Sequence, residues 1–262
     1  MVKSCSDSDA VAGSNLLRMY EETAVVTEAL RVFDEMSDKD SMAWNVLLFS
    51  CSELGMGELC LQLFQRMVGD GVEVDEFTFA IVPNEMAVGL RINEGLQVHS
   101  MLVRSGICSD RYTCNALLNL YSKCGFIGSA TIMFDEIHDC DVVSWTLMIT
   151  GLGECGMQEE AFEALGRMRV VGEKPNSFTF GSLIGSCARA SLLGMRKQCH
   201  AFVAKTGLDL DVVVGSAMVD MYSKCGGLKD AVVLFKNLCN RDIVSWNAMI
   251  CGLAWNGESL KL

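Results

Sequence analysis

The sequence predicts an all-α protein, an α-solenoid of stacked helix-turn-helix units. Three observations predict it: the chain resembles itself at an offset of 101 residues, this offset divides into units of 31, 35 and 35 residues, and the apolar residues within a unit follow helical spacing. A fixed period near 35 residues is typical of solenoids, because one such unit cannot bury its apolar face without its neighbours.

The internal repeat is visible as short motifs that recur one period later. Tyr121-Ser-Lys-Cys-Gly125 returns as Tyr222-Ser-Lys-Cys-Gly226, and Val143-Ser-Trp145 returns as Val244-Ser-Trp246. The 31-residue units cover residues 10–40, 111–141 and 212–242. The 35-residue units cover residues 41–75, 76–110, 142–176 and 177–211, with the end of one at 1–9 and a partial one at 243–262.

Each unit is predicted to hold two antiparallel helices. Apolar residues at i, i+3, i+4 and i+7 mark the second helix of the middle 31-residue unit, at Ala130, Met133, Phe134 and Ile137. Gly125 separates the two helical segments as a helix stop, and Asp141 precedes the next first helix as a start signal. Val212-Val-Val214 has strand propensity, but the 101-residue period predicts a helix there.

Composition excludes several classes of protein. The formal charge of −12 argues against a protein that coats nucleic acid through bulk positive charge. The 13 cysteines form no Cys-x-x-Cys pair and are odd in number, which favours a reduced compartment in which cysteine serves as a small buried apolar residue. No run of 18 apolar residues occurs, so no transmembrane helix and no membrane partner are predicted.

No catalytic or metal-binding motif stands out. There is no Gly-x-x-x-x-Gly-Lys phosphate loop and no recognisable Ser/His/Asp arrangement. Cys199 and His200 are adjacent, and adjacent residues on a helix point about 100° apart, which disfavours a shared zinc ion. We therefore predict no catalytic residues, no metal site, no cofactor and no enzymatic activity.

The units resemble pentatricopeptide repeats of the plant type that alternates P, L and S motifs. The resemblance rests on four segments and covers essentially the whole chain: Val142-Val-Ser-Trp-Thr146, Asn176-Ser-Phe-Thr-Phe180, Met218-Val-Asp-Met-Tyr-Ser-Lys-Cys-Gly226 and Val98-His-Ser-Met-Leu-Val-Arg-Ser-Gly106. The 31-residue units correspond to S motifs, those starting at 41, 142 and 243 to P motifs, and those starting at 76 and 177 to L motifs. Tetratricopeptide repeats, the nearest alternative, have a uniform period of about 34 residues.

The resemblance implies a right-handed solenoid that binds single-stranded RNA in a mitochondrion or chloroplast, one base per repeat. Repeats at a constant rise match splayed-out bases, whose edges are contacted by two or three side chains of each repeat. Family members of this type mostly guide C-to-U editing of RNA.

In this family the fifth and last residues of each unit contact the base edge. The fifth residues of the P and S units are Ser14, Asn45, Asn115, Thr146, Ser216 and Asn247. The last residues are Asp40, Asp75, Asp141, Asn176 and Asp242. By resemblance, Ser with Asp favours G, Asn with Asp favours U and Thr with Asn favours A. The last residues also suit helix N-caps, an interpretation that stays open.

Two further sets of contacts follow from the resemblance. The second residue of a unit wedges between bases, here Val11, Met42, Tyr112, Val143, Val213 and Val244, with Phe77 and Phe178 in the L units. Core packing is the alternative for this set. Lys123 and Lys224 stand where the family contacts phosphate, although the first S unit has Glu22 there and a solvated lysine is an equal alternative.

The predicted RNA, with its 5′ end at the N-terminal unit, reads G, U, undefined, U, A, undefined, G and a pyrimidine. The two undefined bases face the L units, where Ala80 and Gly181 occupy the fifth position. Editing relatives carry a deaminase with His-x-Glu and Pro-Cys-x-x-Cys signatures, which are absent here. We expect a deaminase or other editing-complex protein to act in trans.

Two other interpretations stay open at this level. The first is a solenoid scaffold that binds a protein partner instead of RNA. The second is a non-functional fragment that folds poorly because its ends expose apolar surface. Both ends of the sequence fall inside a unit. That observation leads us to expect a piece of a longer array or a truncated gene product.

Overall fold

The computed structural model describes residues 26–37, 39–105, 111–190, 193–208 and 211–258 of the chain. This part contains fourteen α-helices and no strand, which confirms the predicted all-α class. They are α1 Val26–Glu35, α2 Ser41–Glu53, α3 Gly57–Gly69, α4 Glu76–Val88, α5 Ile92–Ser105, α6 Arg111–Lys123, α7 Ile127–Glu136, α8 Val142–Glu154, α9 Gln158–Val170, α10 Ser177–Arg189, α11 Leu193–Thr206, α12 Val212–Lys224, α13 Leu228–Asn237 and α14 Ile243–Trp255.

Six of the seven first helices in the described ranges start where an Asp or Asn side chain caps them. Asp75 accepts a hydrogen bond from the backbone N–H of Thr78 before α4, and Asp242 accepts one from Ser245 before α14. Asp211 accepts hydrogen bonds from the backbone N–H groups of Val213 and Val214. Both residues belong to the Val212-Val-Val214 run, with which α12 begins. Capping and the packing of neighbouring helices thus outweigh the β propensity of this valine run.

Within the described ranges, a glycine with positive φ follows five of the first helices, whereas α4 is followed by Leu90 with φ of +53°. Gly125 follows α6 with φ of +79°, and Gly226 follows α12 with φ of +72°. Only glycine adopts this left-handed conformation without a steric penalty, so the chain reverses here into the second helix. The predicted stop at Gly125 is confirmed.

The chain forms two compact units, Met1–His138 and Asp139–Leu262. In the first, helices α2, α4 and α6 pack side by side in sequence order. Helices α3 and α5 each contact the first helix of their own repeat and that of the next. Phe33 of α1 meets Trp44 of α2 edge to face, with ring centroids 4.6 Å apart, and both rings are fully buried. Burial of such rings stabilises the stack by about 1.5–3 kcal/mol per side chain.

The second compact unit repeats this arrangement. Helices α8, α10, α12 and α14 pack side by side, while α9, α11 and α13 lie against them. Phe235 and Trp246 form the same edge-to-face contact as Phe33 and Trp44, two periods later, with centroids 4.8 Å apart. The repeat in the sequence is therefore also a repeat of tertiary contacts.

Cysteine is mostly a core residue. Of the eleven cysteines in the described ranges, six are buried and all are free thiols. Burial, with a smaller effect of Glu85, raises the pKa of the Cys60 thiol to about 12. Within these same ranges, every helix is too short or too polar to cross a bilayer.

Candidate nucleic-acid interface

The candidate interface is one face of the first helices. We define the contact face as the side chains at the second, fifth, ninth and thirteenth positions of each unit. Spacings of three and four residues place these positions along one side of a helix. Packed first helices therefore bring equivalent side chains of successive repeats next to one another within each compact unit.

The second positions carry exposed apolar side chains in both compact units. All seven described members are between 42 and 71 % exposed: Met42, Phe77, Tyr112, Val143, Phe178, Val213 and Val244. Core packing, the alternative interpretation of these residues, is therefore wrong. Solvent-exposed apolar side chains at a constant repeat phase are available for stacking with a ligand.

The first P unit brings together its fifth and last residues. Asn45 Nδ2 donates to both carboxylate oxygens of Asp75 at 2.9 Å. The hydroxyl of Thr78, in the next repeat, lies 2.6 Å from Asn45 Oδ1 and 3.0 Å from Asp75 Oδ1. This network holds the amide of Asn45 in one orientation and leaves it half-buried beside the exposed Met42.

The second P unit has the same arrangement with different chemistry. The hydroxyls of Thr146 and Thr179 lie 2.7 Å apart, and Thr179 lies 3.0 Å from Asn176 Oδ1. Thr146 also donates to the backbone oxygen of Val142. A neutral cluster forms here from Thr146, Asn176 and Thr179, the last of which belongs to the next repeat. The equivalent cluster at Asp75 is anionic.

The second and third S units bury their fifth residues more deeply. Ser216 is buried and its hydroxyl donates to Val212 O at 2.6 Å within its own helix. Asn115 is also buried, and its Oδ1 has no hydrogen-bond partner. Asn115 and Asp141 belong to different compact units.

The last residues of the P and S units cap the following helix. Asp40, Asp75, Asp141 and Asp242 each accept a backbone hydrogen bond through Oδ1, and Asn176 forms a capping box with Thr179. Their interpretation as helix caps is therefore confirmed. Capping occupies one oxygen of each side chain, and for Asp242 the described hydrogen bonds leave Oδ2 open for another contact.

A groove of about 550 Å³ runs along the contact face of the second compact unit. It gathers six residues predicted from the sequence, namely Val213, Ser216, Lys224, Asp242, Val244 and Asn247. Asn247 and Asp242 are exposed to solvent. A groove of this size with apolar walls and a few polar groups suits a small planar ligand.

The structure adds contact-face residues that the sequence interpretation missed. Gly185, Asp220 and Cys251 occupy ninth positions in the groove, and Trp255 occupies the thirteenth position of its unit. Asp220 pairs with Lys224 at 2.7 Å, and the Lys224 ammonium also lies 5.1 Å from the Trp255 ring centroid. Lys224 is therefore half-buried and partly neutralised, whereas Lys123 is exposed at the end of α6. The repeat phase itself was the signal that points to these positions.

Two predicted contact residues, Val11 and Ser14, lie outside the described residues. Among the residues that are described, no group of three or more His, Cys, Asp or Glu side chains is arranged to hold a metal ion.

Comparison with known proteins agrees with the repeat pattern. The PPR repeat family model matches residues 140–189, and the PPR repeat model matches residues 42–72, 112–142, 216–243 and 244–261. The pentatricopeptide repeat-containing protein At2g33680 of Arabidopsis thaliana is 36 % identical over 249 residues, which cover 95 % of this chain and 34 % of that protein. The chloroplastic protein At4g18520 of the same plant is 31 % identical over 265 residues, covering 100 % of this chain and 43 % of that protein. The chain thus spans less than half the length of these relatives.

Solved structures show the same fold. The crystal structure of the pentatricopeptide repeat protein PPR10 from maize superposes with a TM-score of 0.75 at 21 % identity, over 94 % of this chain and 37 % of that one. PPR10 in complex with an 18-nt psaJ RNA element superposes with a TM-score of 0.60 at 19 % identity, over 96 % of this chain and 44 % of that one. The predicted α-solenoid fold is confirmed.

Proposed function

Because this chain belongs to the pentatricopeptide repeat family, we propose that it binds single-stranded RNA selectively, with one base facing each repeat. The observation that carries the proposal is the row of exposed second-position side chains, present in every described repeat. Exposed apolar residues at a fixed spacing suit a ligand that itself repeats at a fixed spacing and offers a flat face, which is a nucleobase.

In this proposal each base lies between the second-position side chains of two successive repeats. Its edge then meets the fifth and last residues. At the first P unit the Asp75 carboxylate accepts from the N3–H of uracil, and the Asn45 amide supplies both a donor and an acceptor. At the second P unit, Thr146 and Asn176 present a neutral edge that by family resemblance favours adenine.

The cellular role follows the family. We propose that the chain selects sites for organellar RNA processing, including C-to-U editing, with the deaminase or other editing-complex proteins supplied in trans. Relatives in Arabidopsis thaliana carry the words mitochondrial or chloroplastic in their names, which supports an organellar location here. As an array of such repeats, the chain is not an enzyme.

Binding to matched oligonucleotides tests the proposal. The test RNA contains G-U-x-U-A-x-G, and the control RNA carries A at the two U positions. We expect the control to bind about tenfold more weakly, because each mismatched edge loses one or two hydrogen bonds. The double variant Asn45→Ser with Asn115→Ser should shift the preference at these positions from U to G.

Equal affinity for all oligonucleotides, before and after the double substitution, would count against base recognition. Such a result would favour a protein-binding scaffold instead.

A further inference from the structure

Five large apolar side chains lie exposed along one edge of the first compact unit. We define the turn edge as these five side chains, which stand at or just after the C-terminal ends of α2, α4 and α6. They are between 41 and 80 % exposed: Leu54, Met56, Val88, Leu90 and Phe126. A contiguous apolar patch on a soluble protein often marks the place where another molecule binds.

Hydrogen bonds between neighbouring first helices hold these C-terminal ends side by side. The Thr78 hydroxyl of α4 donates to Asn45 Oδ1 of α2, and the Ser52 hydroxyl of α2 donates to Glu85 Oε1 of α4, both at 2.6 Å. Each pair is 33 residues apart, so α2 and α4 run parallel and in register. The side-by-side packing continues to α6. Because packed helices lie about 8–10 Å apart, the turn edge is about 20 Å long.

Leu90 occupies a position that is glycine in the turns on either side. Its φ is +53°, and the equivalent Gly55 and Gly125 have φ of +66° and +79°. A leucine in this left-handed conformation is sterically strained, whereas a glycine is not. Since 62 % of the Leu90 side chain is exposed, packing within the chain offsets little of this strain. Leu90 therefore adds apolar surface to the turn edge without serving the fold of its own turn.

The second compact unit has different side chains at the same repeat positions, 101 residues later. Cys155 and Met157 are half-buried there, and Arg189 is charged. The five positions are Cys155, Met157, Arg189, Ser191 and Gly227, of which Ser191 lies outside the described residues. The turns of this repeat fold therefore form without exposed large apolar residues, so the turn edge is a property of the first compact unit.

Opposite charges border the two ends of the turn edge. Glu53 ends α2 next to Leu54, and Lys123 ends α6 three residues before Phe126. Both charged side chains are exposed, and between them α4 ends in the neutral Val88. A second copy rotated by half a turn about an axis through Val88 would therefore bring its Lys123 to Glu53 of the first copy. The turn edge is thus complementary in charge to itself.

We propose that the turn edge joins two copies of this chain in a dimer with two-fold symmetry. The apolar side chains of the two copies pack on each other, with Val88 and Leu90 nearest the axis. Each Glu53 pairs with Lys123 of the second copy. The reversal of charge from one end to the other favours a second copy as the occupant. This inference goes beyond the proposed RNA binding and does not depend on it.

Sedimentation velocity of the full chain, without RNA, tests the dimer. We expect a Kd of about 10–100 µM, because five apolar side chains on each copy make a small interface. The experiment runs at about 0.15 M salt, where the Debye length of about 8 Å screens the repulsion between two chains of charge −12.

Val88→Asp should raise this Kd by at least about tenfold, because it places a carboxylate in the apolar centre of the interface twice. Val170→Asp is the matched control, since Val170 is 88 % exposed in the second compact unit and Val88 is 80 % exposed. The control should leave the Kd unchanged. Circular dichroism checks that both variants keep their helices.

Leu90→Gly separates the interface from the fold. Both copies lose apolar surface, so the Kd should rise by about fivefold or more. The free energy of unfolding of the monomer, measured in urea at low protein concentration, should not fall, because glycine suits the left-handed conformation of this turn. A purely structural role of Leu90 would give the opposite pair of results, a less stable chain with an unchanged Kd.

An exchange of charges tests the symmetry. Glu53→Lys should raise the Kd by about tenfold, because a lysine then faces Lys123 at both ends of the interface. Adding Lys123→Glu restores opposite charges and should return the Kd to within about threefold of the wild type. A double variant that does not recover would overturn the proposed pairing.

Two results would overturn the dimer as a whole. The first is a wild-type chain that stays monomeric up to about 200 µM, which would leave the turn edge to a different kind of partner. The second is a dimer that Val88→Asp leaves intact or that Val170→Asp disrupts to the same extent as Val88→Asp.

Discussion

Replacement of Asp75 separates the structural role of a last residue from its proposed contact with RNA. Asp75 caps α4 through Thr78 N and accepts two bonds from Asn45 Nδ2. Asp75→Ala loses the cap, which contributes about 1 kcal/mol, and the bonds from the half-buried amide, which contribute about 1 kcal/mol more. We therefore expect the free energy of unfolding to fall by about 2 kcal/mol.

Asp75→Asn is the matched variant, because its carbonyl oxygen still accepts from Thr78 N. Its free energy of unfolding should fall by less than about 1 kcal/mol. The amide no longer provides two acceptor oxygens, so the preference for uracil should be lost, and cytosine, whose N3 is an acceptor, should gain.

Urea unfolding followed by circular dichroism measures the first effect, and fluorescence anisotropy with labelled RNAs measures the second. If Asp75→Asn keeps the full preference for uracil, Asp75 is a helix cap and nothing more. If the alanine and asparagine variants destabilise the chain equally, the capping argument is wrong.

Three further predictions concern packing and titration. Gly153→Ala should lower the free energy of unfolding by about 1 kcal/mol, because the added Cβ would lie 2.7 Å from both Cβ and Oγ of Ser186. The second substitution Ser186→Gly should relieve this clash, and urea unfolding of the single and double variants measures the difference. Burial lowers the pKa of His99 below its usual 6.5, so the unfolded chain binds the proton more readily, and stability should fall as pH drops below about 6.5. Thermal unfolding at several pH values should therefore show a smaller fall for His99→Gln than for the wild type. Iodoacetamide at pH 8 should modify the exposed Cys239 but spare the buried Cys60, whose pKa is raised to about 12. Peptide mass spectrometry measures the modification of each thiol, and faster modification of Cys60 than of Cys239 would contradict this prediction.

The charge of the groove bears on the affinity expected from the proposed binding of RNA. The chain carries a formal charge of −12, and the groove of the second compact unit includes Asp220 and Asp242 beside Lys224. Since Asp220 pairs with Lys224, this lysine contributes less attraction to phosphate than an unpaired one would. Lys123 at the end of α6 and Arg189 at the end of α10 are exposed, each on the first helix of its own repeat.

The sequence by itself determined the helices, their starts and their repeat phase. A cap such as Asp141, a stop such as Gly125 and an apolar spacing of three and four residues are local features, and local hydrogen bonds and sterics are enough to place them. The 101-residue period also predicts that the units stack on one another, because a side chain that recurs at the same position of each repeat meets equivalent neighbours in each repeat.

Only the tertiary structure decided what each of these side chains touches. The sequence left Phe77 and Phe178 open between core and surface, and the packing of neighbouring first helices leaves both exposed. The sequence predicts the same role for Asn45 and Ser216, since both are fifth residues. In the structure, however, Asn45 donates a hydrogen bond to Asp75, whereas Ser216 donates one to the backbone oxygen of Val212 in its own helix. The physical reason is that burial and hydrogen-bond partners depend on residues about 30 positions apart, whose distances are fixed by helix packing and not by the local chain.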